Sequence, residues 1–171
     1  MNILSKEQIK EIRELQKELD IRIRENNDIP LNVDLSLEKY LALKTELFEF
    51  VNEIESFKYW KKSKGKEHIL EEACDTLHFI MSLAIDNDVE VNLEHIKYEE
   101  ENLNNCEINE SLGIMDAMIS DAYAEKEWEL LSVVLLLMLI VLNKCGYNSD
   151  ELYQAYIEKN KVNHERQDKQ Y

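Results

Sequence analysis

The sequence predicts an all-α fold, a helical bundle built from long amphipathic helices. One proline and three glycines among 171 residues leave few positions that would interrupt a helix. A composition of 33% charged and 44% hydrophobic residues is typical of helices with one apolar and one solvated face. The length fits one domain with a substantial core, so we expect residues 1–171 to form a single domain.

A first helix is predicted from Ser5 to Arg24. Ser5 and Gln8 have the spacing of a capping box, and the apolar positions that follow recur every three or four residues. These positions are Ile9, Ile12, Leu15, Leu19 and Ile23. Residues 25–34 contain the proline and are predicted to form a loop.

The second helix is predicted to start with Ser36 as its cap and to end in the aromatic and basic segment FKYWKK at residues 57–62. Its core positions are Leu43, Leu47, Phe50, Val51, Ile54 and Phe57. The segment 57–62 could hold a base and its phosphates, or it could be an aromatic packing corner with solvated lysines. Gly65 predicts a turn before the third helix.

The third helix, at residues 66–86, is predicted to be buried, because apolar residues occur nearly all round it. Three further helices are predicted at residues 112–124, 128–143 and 149–167. Leu130–Leu142 is apolar except for Ser132 and is shorter than the ~20 residues of a membrane span, so we expect a central core helix there. Gly146 predicts a helix stop. Residues 87–110 are acidic and weakly periodic, and we expect a variable insertion that is either mobile or an exposed helix.

Two acidic pairs at helical spacing are the strongest candidates for chemistry, Glu46 with Glu49 and Glu72 with Asp75. Residues three apart lie on one helix face, so two packed helices would bring four carboxylates together. Such an all-oxygen set suits Mg²⁺ or Mn²⁺. The first pair has an alternative as a solvated helix face, because the chain contains 36 acidic residues. For the second pair, on a buried helix, the alternative is a structural salt bridge.

Several polar side chains are placed to line a pocket beside these carboxylates. Gln16 and Asp20 lie at the margin of the first helix's apolar stripe, and His78 and Phe79 follow Asp75 by one turn. One face of the C-terminal helix offers a cation, an amide and a guanidinium, the groups that bind a phosphate chain. These residues are Lys159, Asn163 and Arg166. Taken singly, each candidate has a structural alternative: a boundary position, a core histidine or a frayed terminal helix.

The charge balance narrows the classes of partner. The net charge, 20 minus 36 or −16, disfavours nucleic acid, although a polyphosphate could bind where divalent ions neutralise the acidic face. We expect no signal peptide and no membrane association, because charged residues precede any apolar segment at the N-terminus. Cys74, Cys106 and Cys145 lack the spacing of a zinc site and indicate a reduced compartment, so we expect a cytoplasmic protein.

Five segments together resemble the all-α dimeric dUTPase family, which is related to the MazG-like nucleotide pyrophosphohydrolases. They are LQKELDIRI (Leu15–Ile23), ELFE (Glu46–Glu49), FKYWKK (Phe57–Lys62), EEACDTLHFIMSL (Glu71–Leu83) and YIEKNKVNHERQDKQY (Tyr156–Tyr171). The acidic pairs alone indicate only the wider superfamily. The ExxD pair followed by HF, combined with the terminal YxxKNxxNxxRQ pattern, is much more specific.

The resemblance implies a dUTP diphosphatase that hydrolyses dUTP, and also dUDP, to dUMP with two or more Mg²⁺ ions, or Mn²⁺, per active site. The implied metal ligands are Glu46, Glu49, Glu72 and Asp75. Of these, Glu46, or alternatively Glu49, is predicted to accept a proton from the attacking water. The implied base and sugar contacts are Gln16, Trp60, His78, Phe79 and Asn160. The implied phosphate contacts are Tyr156, Lys159, Asn163 and Arg166.

The resemblance also implies partners. Family members act as dimers, and Leu130–Leu142 is a candidate part of the interface. Some phage-encoded relatives bind repressor proteins, and residues 87–110 are the candidate surface if this chain is phage-encoded. Two positions depart from the family pattern. Leu19 stands where a polar residue is often found, which makes Asp20 the candidate substitute in base recognition, and the terminal Asp168–Tyr171 lacks the glycine that commonly precedes the last tyrosine.

Two other functions fit the sequence. One is an all-α pyrophosphohydrolase for another nucleotide such as dCTP, which base preference would distinguish. The other is a helical interaction or regulatory protein whose carboxylates only solvate it. That second function predicts neither nucleotide turnover nor a Mg²⁺-dependent thermal shift.

Overall fold

The computed structural model describes residues 3–62, 67–96 and 103–169, and within these ranges the chain forms six α-helices, one short 3-10 helix and no strand. The α-helices are α1 (Lys6–Asn26), α2 (Ser36–Ile54), α3 (Ile69–Asp86), α4 (Ile108–Glu125), α5 (Leu130–Lys144) and α6 (Ser149–Asp168). The 3-10 helix is Glu94–Ile96. The predicted all-α fold is confirmed. Gly65, Gln170 and Tyr171, which figured in the sequence predictions, lie outside the described residues.

The helix starts follow local hydrogen bonding. The capping box at α1 is confirmed: the Gln8 backbone N–H donates to Ser5 Oγ at 3.1 Å, and the Ser5 N–H donates to Gln8 Oε1 at 2.8 Å. The prediction that Ser36 caps α2 is wrong, because Ser36 is already helical and its N–H donates to Asp34 Oδ1 at 2.9 Å. Aspartate and serine are both good N-cap residues, and here it is Asp34 that bonds the first helical N–H.

Gly146 ends α5, as predicted. Its φ of 94° lies in the left-handed region, which glycine adopts without strain. The Tyr147 N–H donates to the Leu142 carbonyl at 3.0 Å, which closes the last turn of the helix. The chain then enters α6 through a second capping box, formed by Asn148 and Glu151.

The third helix is the centre of the bundle, since α3 packs against α1, α2, α5 and α6. The next most enclosed element is α5, which packs on α3 and α4 and is buried along most of its length by the chain itself. The prediction of a central core helix is therefore confirmed. Little of α5 remains exposed for the dimer interface to which Leu130–Leu142 was a candidate contributor.

Part of the stretch 87–110 packs on the core. Val91 and Leu93 are buried, and the Asn92 N–H donates to Ser132 Oγ of α5 at 3.1 Å. Arg13 of α1 also donates to the Val89 carbonyl at 2.7 Å. These contacts do not fit a mobile insertion or an exposed helix over residues 89–93. The burial of these two apolar side chains in the core explains the attachment.

No single helix among the described residues is both long and apolar enough to span a membrane. The pair α5 and α6 passes the same length and composition criteria jointly, but these helices are bent by 110° relative to each other.

Candidate active site

Three carboxylates from two helices form the centre of the site. Glu46 of α2 and Glu72 and Asp75 of α3 each offer an oxygen, and the three oxygens lie within 4.8 Å of one another. We call these three residues the carboxylate cluster. They meet because α2 and α3 pack directly and because residues three apart share a helix face. Glu49, the fourth predicted ligand, is exposed and lies outside the cluster.

The electrostatics of the carboxylate cluster favour a bound cation. Burial, followed by the charges of Asp75, Glu49 and Glu72, raises the pKa of Glu46 to about 7. Burial also raises the pKa of Glu72, followed by the charges of Asp75 and Glu49. Glu49 is therefore near enough to act on both residues. Without a cation the cluster holds a proton near neutral pH, and a divalent ion would replace that proton.

Protonation of Glu46 makes the stability of the metal-free protein depend on pH. The native pKa of Glu46, about 7, lies above its ordinary value of 4.5, so between these values the native state binds more protons than the unfolded state. Stability therefore falls as pH rises from 4.5 towards 7. We expect Glu46→Gln to raise the melting temperature in EDTA at pH 8 by about 3 °C, which corresponds to about 1 kcal/mol.

Thermal unfolding in EDTA at pH 5 and pH 8 measures this effect. Glu18→Gln, a change of an exposed glutamate on α1, is the matched control and should leave the melting temperature unchanged. Equal melting temperatures of the parent and Glu46→Gln at pH 8 would show that the charge of Glu46 does not destabilise the native state.

Lys159 of α6 partly offsets the charge of the carboxylate cluster. Its ammonium donates to Asp75 Oδ2 at 2.8 Å and to Glu71 Oε1 at 3.0 Å. Burial lowers the pKa of Lys159, but the hydrogen bonds to Asp75 and Glu71 more than compensate, and the pKa is raised overall. Lys159 therefore stays charged beside the cluster.

A cavity of about 580 Å³ adjoins the cluster and is walled by α1, α2, α3 and α6. Glu46 and Asp75 lie at one part of its wall, so the carboxylates and the cavity form one site. Besides these two predicted metal ligands, six of the predicted substrate-binding residues line it: Gln16, Asp20, His78, Phe79, Asn163 and Arg166. Lys39 and Ser82 also line the cavity. Their sequence surroundings gave no reason to select them, because only the packing of α3 against both α1 and α2 brings them to Asp20.

A buried hydrogen-bonded group forms the floor of the site. Gln16 Oε1 accepts a hydrogen bond from the Tyr156 hydroxyl at 2.7 Å and lies 2.6 Å from His78 Nδ1. The His78 and Tyr156 rings stack with their centroids 4.3 Å apart. Burial lowers the pKa of His78 to about 3, with the charge of Lys159 acting in the same direction, so the imidazole is neutral at physiological pH. Asn160 is buried nearby, and its amide donates to the Leu15 carbonyl at 3.5 Å.

The segment 57–62 lies apart from this cavity in the structure. Trp60 is 65% exposed and does not line the cavity. Lys58 and Lys61 both pair with Glu55, at 2.8 and 2.5 Å, and these hydrogen bonds hold the pKa of Glu55 at about 2. Neither interpretation of this segment is met as predicted: Phe57, Tyr59 and Trp60 are exposed and contact one another, and the two lysines pair with Glu55.

The family comparison decides what class of protein this is. The sequence model of the family described as dUTPase matches residues 8–171, nearly the whole chain. The chain belongs to the all-α dUTPase family. A search of curated proteins gave no match. This dUTPase is a dUTP diphosphatase, and it hydrolyses dUTP to dUMP. Divalent-metal dependence is general in the family, and the acidic cluster at the cavity agrees with it.

Proposed function

We propose that this dUTPase hydrolyses dUTP, and dUDP, in a Mg²⁺-dependent reaction at the cavity beside the carboxylate cluster. This proposal rests on the position of the carboxylates beside a cavity that can hold a base. Glu46 and Asp75, which can bind a hard cation, border the same cavity as Gln16 and His78, which can contact a base. The site thus has the parts needed to hold a nucleotide with its phosphates near metal.

The residues present fit the proposed Mg²⁺ ions. Glu46, Glu72 and Asp75 would hold the metal, with Glu49 as a fourth ligand one turn from Glu46 and within electrostatic reach of the cluster. Four carboxylates carry enough charge to balance two divalent ions, and Mn²⁺ suits the same oxygen ligands. Bound Mg²⁺ supplies a lowered pKa for the attacking water and neutralises charge on the phosphates.

The side chains of the protein have separate tasks in this proposal. Glu46, or alternatively Glu49, accepts a proton from the attacking water. Lys159 and Arg166 neutralise the phosphates, and Asn163 assists them. Tyr156, the other predicted phosphate contact, can take part only if its hydroxyl leaves Gln16, because the side chain is fully buried. Lys159 is only 16% exposed and now pairs with Asp75, so it must move from the carboxylate to a phosphate oxygen when substrate and metal bind.

Base recognition is proposed for the polar floor and the aromatic wall of the cavity. Gln16, His78 and Asn160 contribute hydrogen bonds, and Phe79 stacks on the base or sugar. Trp60 can take part only if the segment that carries it moves, since it lies outside the cavity wall. A site built on hydrogen bonds to uracil rejects cytosine, whose 4-position donates instead of accepting.

A homodimer is proposed as the working state. The chain carries an exposed apolar row on one face of α2, formed by Leu37, Leu41 and Phe48, which supports a dimer through this helix in place of α5.

The cavity is lined by residues from both halves of the sequence, which supports a single domain over residues 1–171. We further propose a cytoplasmic location and, for a phage-encoded chain, a repressor protein partner at residues 87–110.

The test of the proposed function is pyrophosphate release by the purified protein with Mg²⁺, comparing dUTP with dCTP, dTTP and UTP, with EDTA as a control. We expect EDTA-sensitive turnover of dUTP that exceeds turnover of the others by at least about a hundredfold. Equal turnover of dCTP would contradict the assigned base contacts, and full activity in EDTA would contradict the metal assignment. Sedimentation of the same preparation tests the dimer, and a monomer at micromolar concentration would contradict it.

A further inference from the structure

Asp20 accepts three hydrogen bonds from protein side chains. Its Oδ1 accepts from the Gln16 side-chain amide at 2.7 Å. Its Oδ2 accepts from the Ser82 hydroxyl at 2.5 Å and from the Lys39 ammonium at 3.1 Å. Lys39 is itself held by Asp86 at 2.6 Å. The carboxylate is thus fixed by donors from three helices.

This arrangement fixes the orientation of the Gln16 amide. An ionised carboxylate only accepts hydrogen bonds, so the Gln16 side chain must turn its NH₂ group towards Asp20. The carbonyl oxygen Oε1 then faces the opposite way, towards Tyr156 and His78. Reversing the amide would set two acceptors against each other at Asp20, inside a buried network where an unmade hydrogen bond is costly.

The orientation of Gln16 in turn fixes the tautomer of His78. A carbonyl oxygen cannot donate, so His78 Nδ1, which lies 2.6 Å from Gln16 Oε1, must carry the ring proton. A neutral imidazole has one N–H, and Nε2 is therefore an acceptor. Nε2 is buried and has no hydrogen-bond partner among the described residues, while His78 lines the cavity.

We infer that Asp20, Ser82 and Lys39 are positioning residues that hold His78 as the Nδ1–H tautomer, so that the cavity presents an unpaired acceptor selective for a ligand N–H donor. Uracil has such a donor at N3, whereas cytosine has an acceptor at N3. The choice of uracil as the ligand rests on the proposed function. Asp20 therefore acts on base specificity through Gln16 and His78 and does not itself touch the base.

The tautomer can be measured without substrate, metal or activity. We expect a long-range ¹H–¹⁵N spectrum of the metal-free full chain at pH 7 to show His78 as the Nδ1–H tautomer, with His78→Gln used to assign its signals. In Asp20→Asn, where the new amide can donate to Gln16, we expect the Nε2–H tautomer to appear. A parental His78 that is charged or in the Nε2–H form would overturn the inference.

Kinetics of the same variants test the consequence for specificity. We expect Asp20→Asn to lower the ratio of kcat/KM for dUTP over dCTP at least about tenfold. Ser82→Ala should lower it less, and Ser82→Thr, which retains the hydroxyl, should restore it. Asp116→Asn is the matched control, because Asp116 pairs with Lys44 of α2 away from the cavity, and its ratio should equal the parental one.

The outcomes separate this inference from the proposed function. If the parental protein shows the Nδ1–H form and Asp20→Asn changes it, the positioning of His78 by Asp20 through Gln16 is supported even if Mg²⁺-dependent turnover is not found. If Asp20→Asn fails to fold, Ser82→Ala and Ser82→Thr replace it in the two measurements, the His78 tautomer and the ratio of kcat/KM for dUTP over dCTP. An unchanged tautomer together with an unchanged dUTP preference in the folded variants would overturn the inference.

Discussion

Asp75→Asn is expected to lower kcat for dUTP about a thousandfold, equivalent to about 4 kcal/mol of transition-state stabilisation, while the protein stays folded. Asparagine keeps the shape of the side chain but removes a charge from the carboxylate cluster, so affinity for Mg²⁺ falls. The fold should tolerate the change, because removing one of three close carboxylates relieves their mutual repulsion. Pyrophosphate release across a Mg²⁺ titration, with thermal unfolding alongside, measures both effects.

Glu71→Gln is the matched control for this variant. Glu71 is exposed, shares Lys159 as a partner with Asp75, and lies outside the carboxylate cluster. Its loss should change kcat by less than about threefold, since exposed ion pairs contribute little. Parental activity in a folded Asp75→Asn variant would show that the cluster does not bind the catalytic metal. Glu49→Gln then tests the fourth ligand: a comparable loss supports its joining the metal site, and parental activity contradicts it.

Lys159→Met is expected to lower kcat/KM for dUTP about fiftyfold, because a charge-assisted contact to phosphate contributes about 1.5–3 kcal/mol. Methionine preserves the apolar length of the side chain and removes the ammonium that now pairs with Asp75 and Glu71. Steady-state kinetics with dUTP and Mg²⁺ measure the effect.

Lys161→Met provides the control on the same helix. Lys161 is exposed and does not line the cavity, so this variant should match the parent within about twofold. The two variants remove the same charge, and comparison between them separates a contact at the site from a change in net charge. An equal loss in both, or in neither, would contradict the role of Lys159.

Much of the fold and part of the site could be predicted from local pattern. The capping box at Ser5, the apolar run of α5 and the stop at Gly146 depend on neighbours within a few residues, and all three were confirmed. The pair Glu72 and Asp75 stood out because the rest of α3 is so apolar. Their role as metal ligands stays a prediction.

Other features depended on backbone conformations and contacts that helical periodicity does not show. Asp34 instead of Ser36 bonds the start of α2, because Ser36 already lies inside the helix and its N–H donates to the Asp34 carboxylate. Lys58 and Lys61, which had looked suitable for phosphate, pair with Glu55 at the end of α2. Val91 and Leu93 attach an acidic stretch to the core that its composition had suggested was mobile or exposed.

The sequence by itself determined the family, the spacing of the carboxylates and most of the helices, because helical periodicity and short motifs are properties of neighbouring residues. The predicted end of α2 was wrong: it was predicted at residues 57–62 and lies at Ile54, after which Glu55 adopts a left-handed conformation. The tertiary structure alone decided that Glu46 joins Glu72 and Asp75 while Glu49 stays at the surface. It also decided that Asp20 is enclosed by Lys39 and Ser82. These outcomes depend on how α1, α2 and α3 are rotated against one another, and that rotation is set by packing of the whole core.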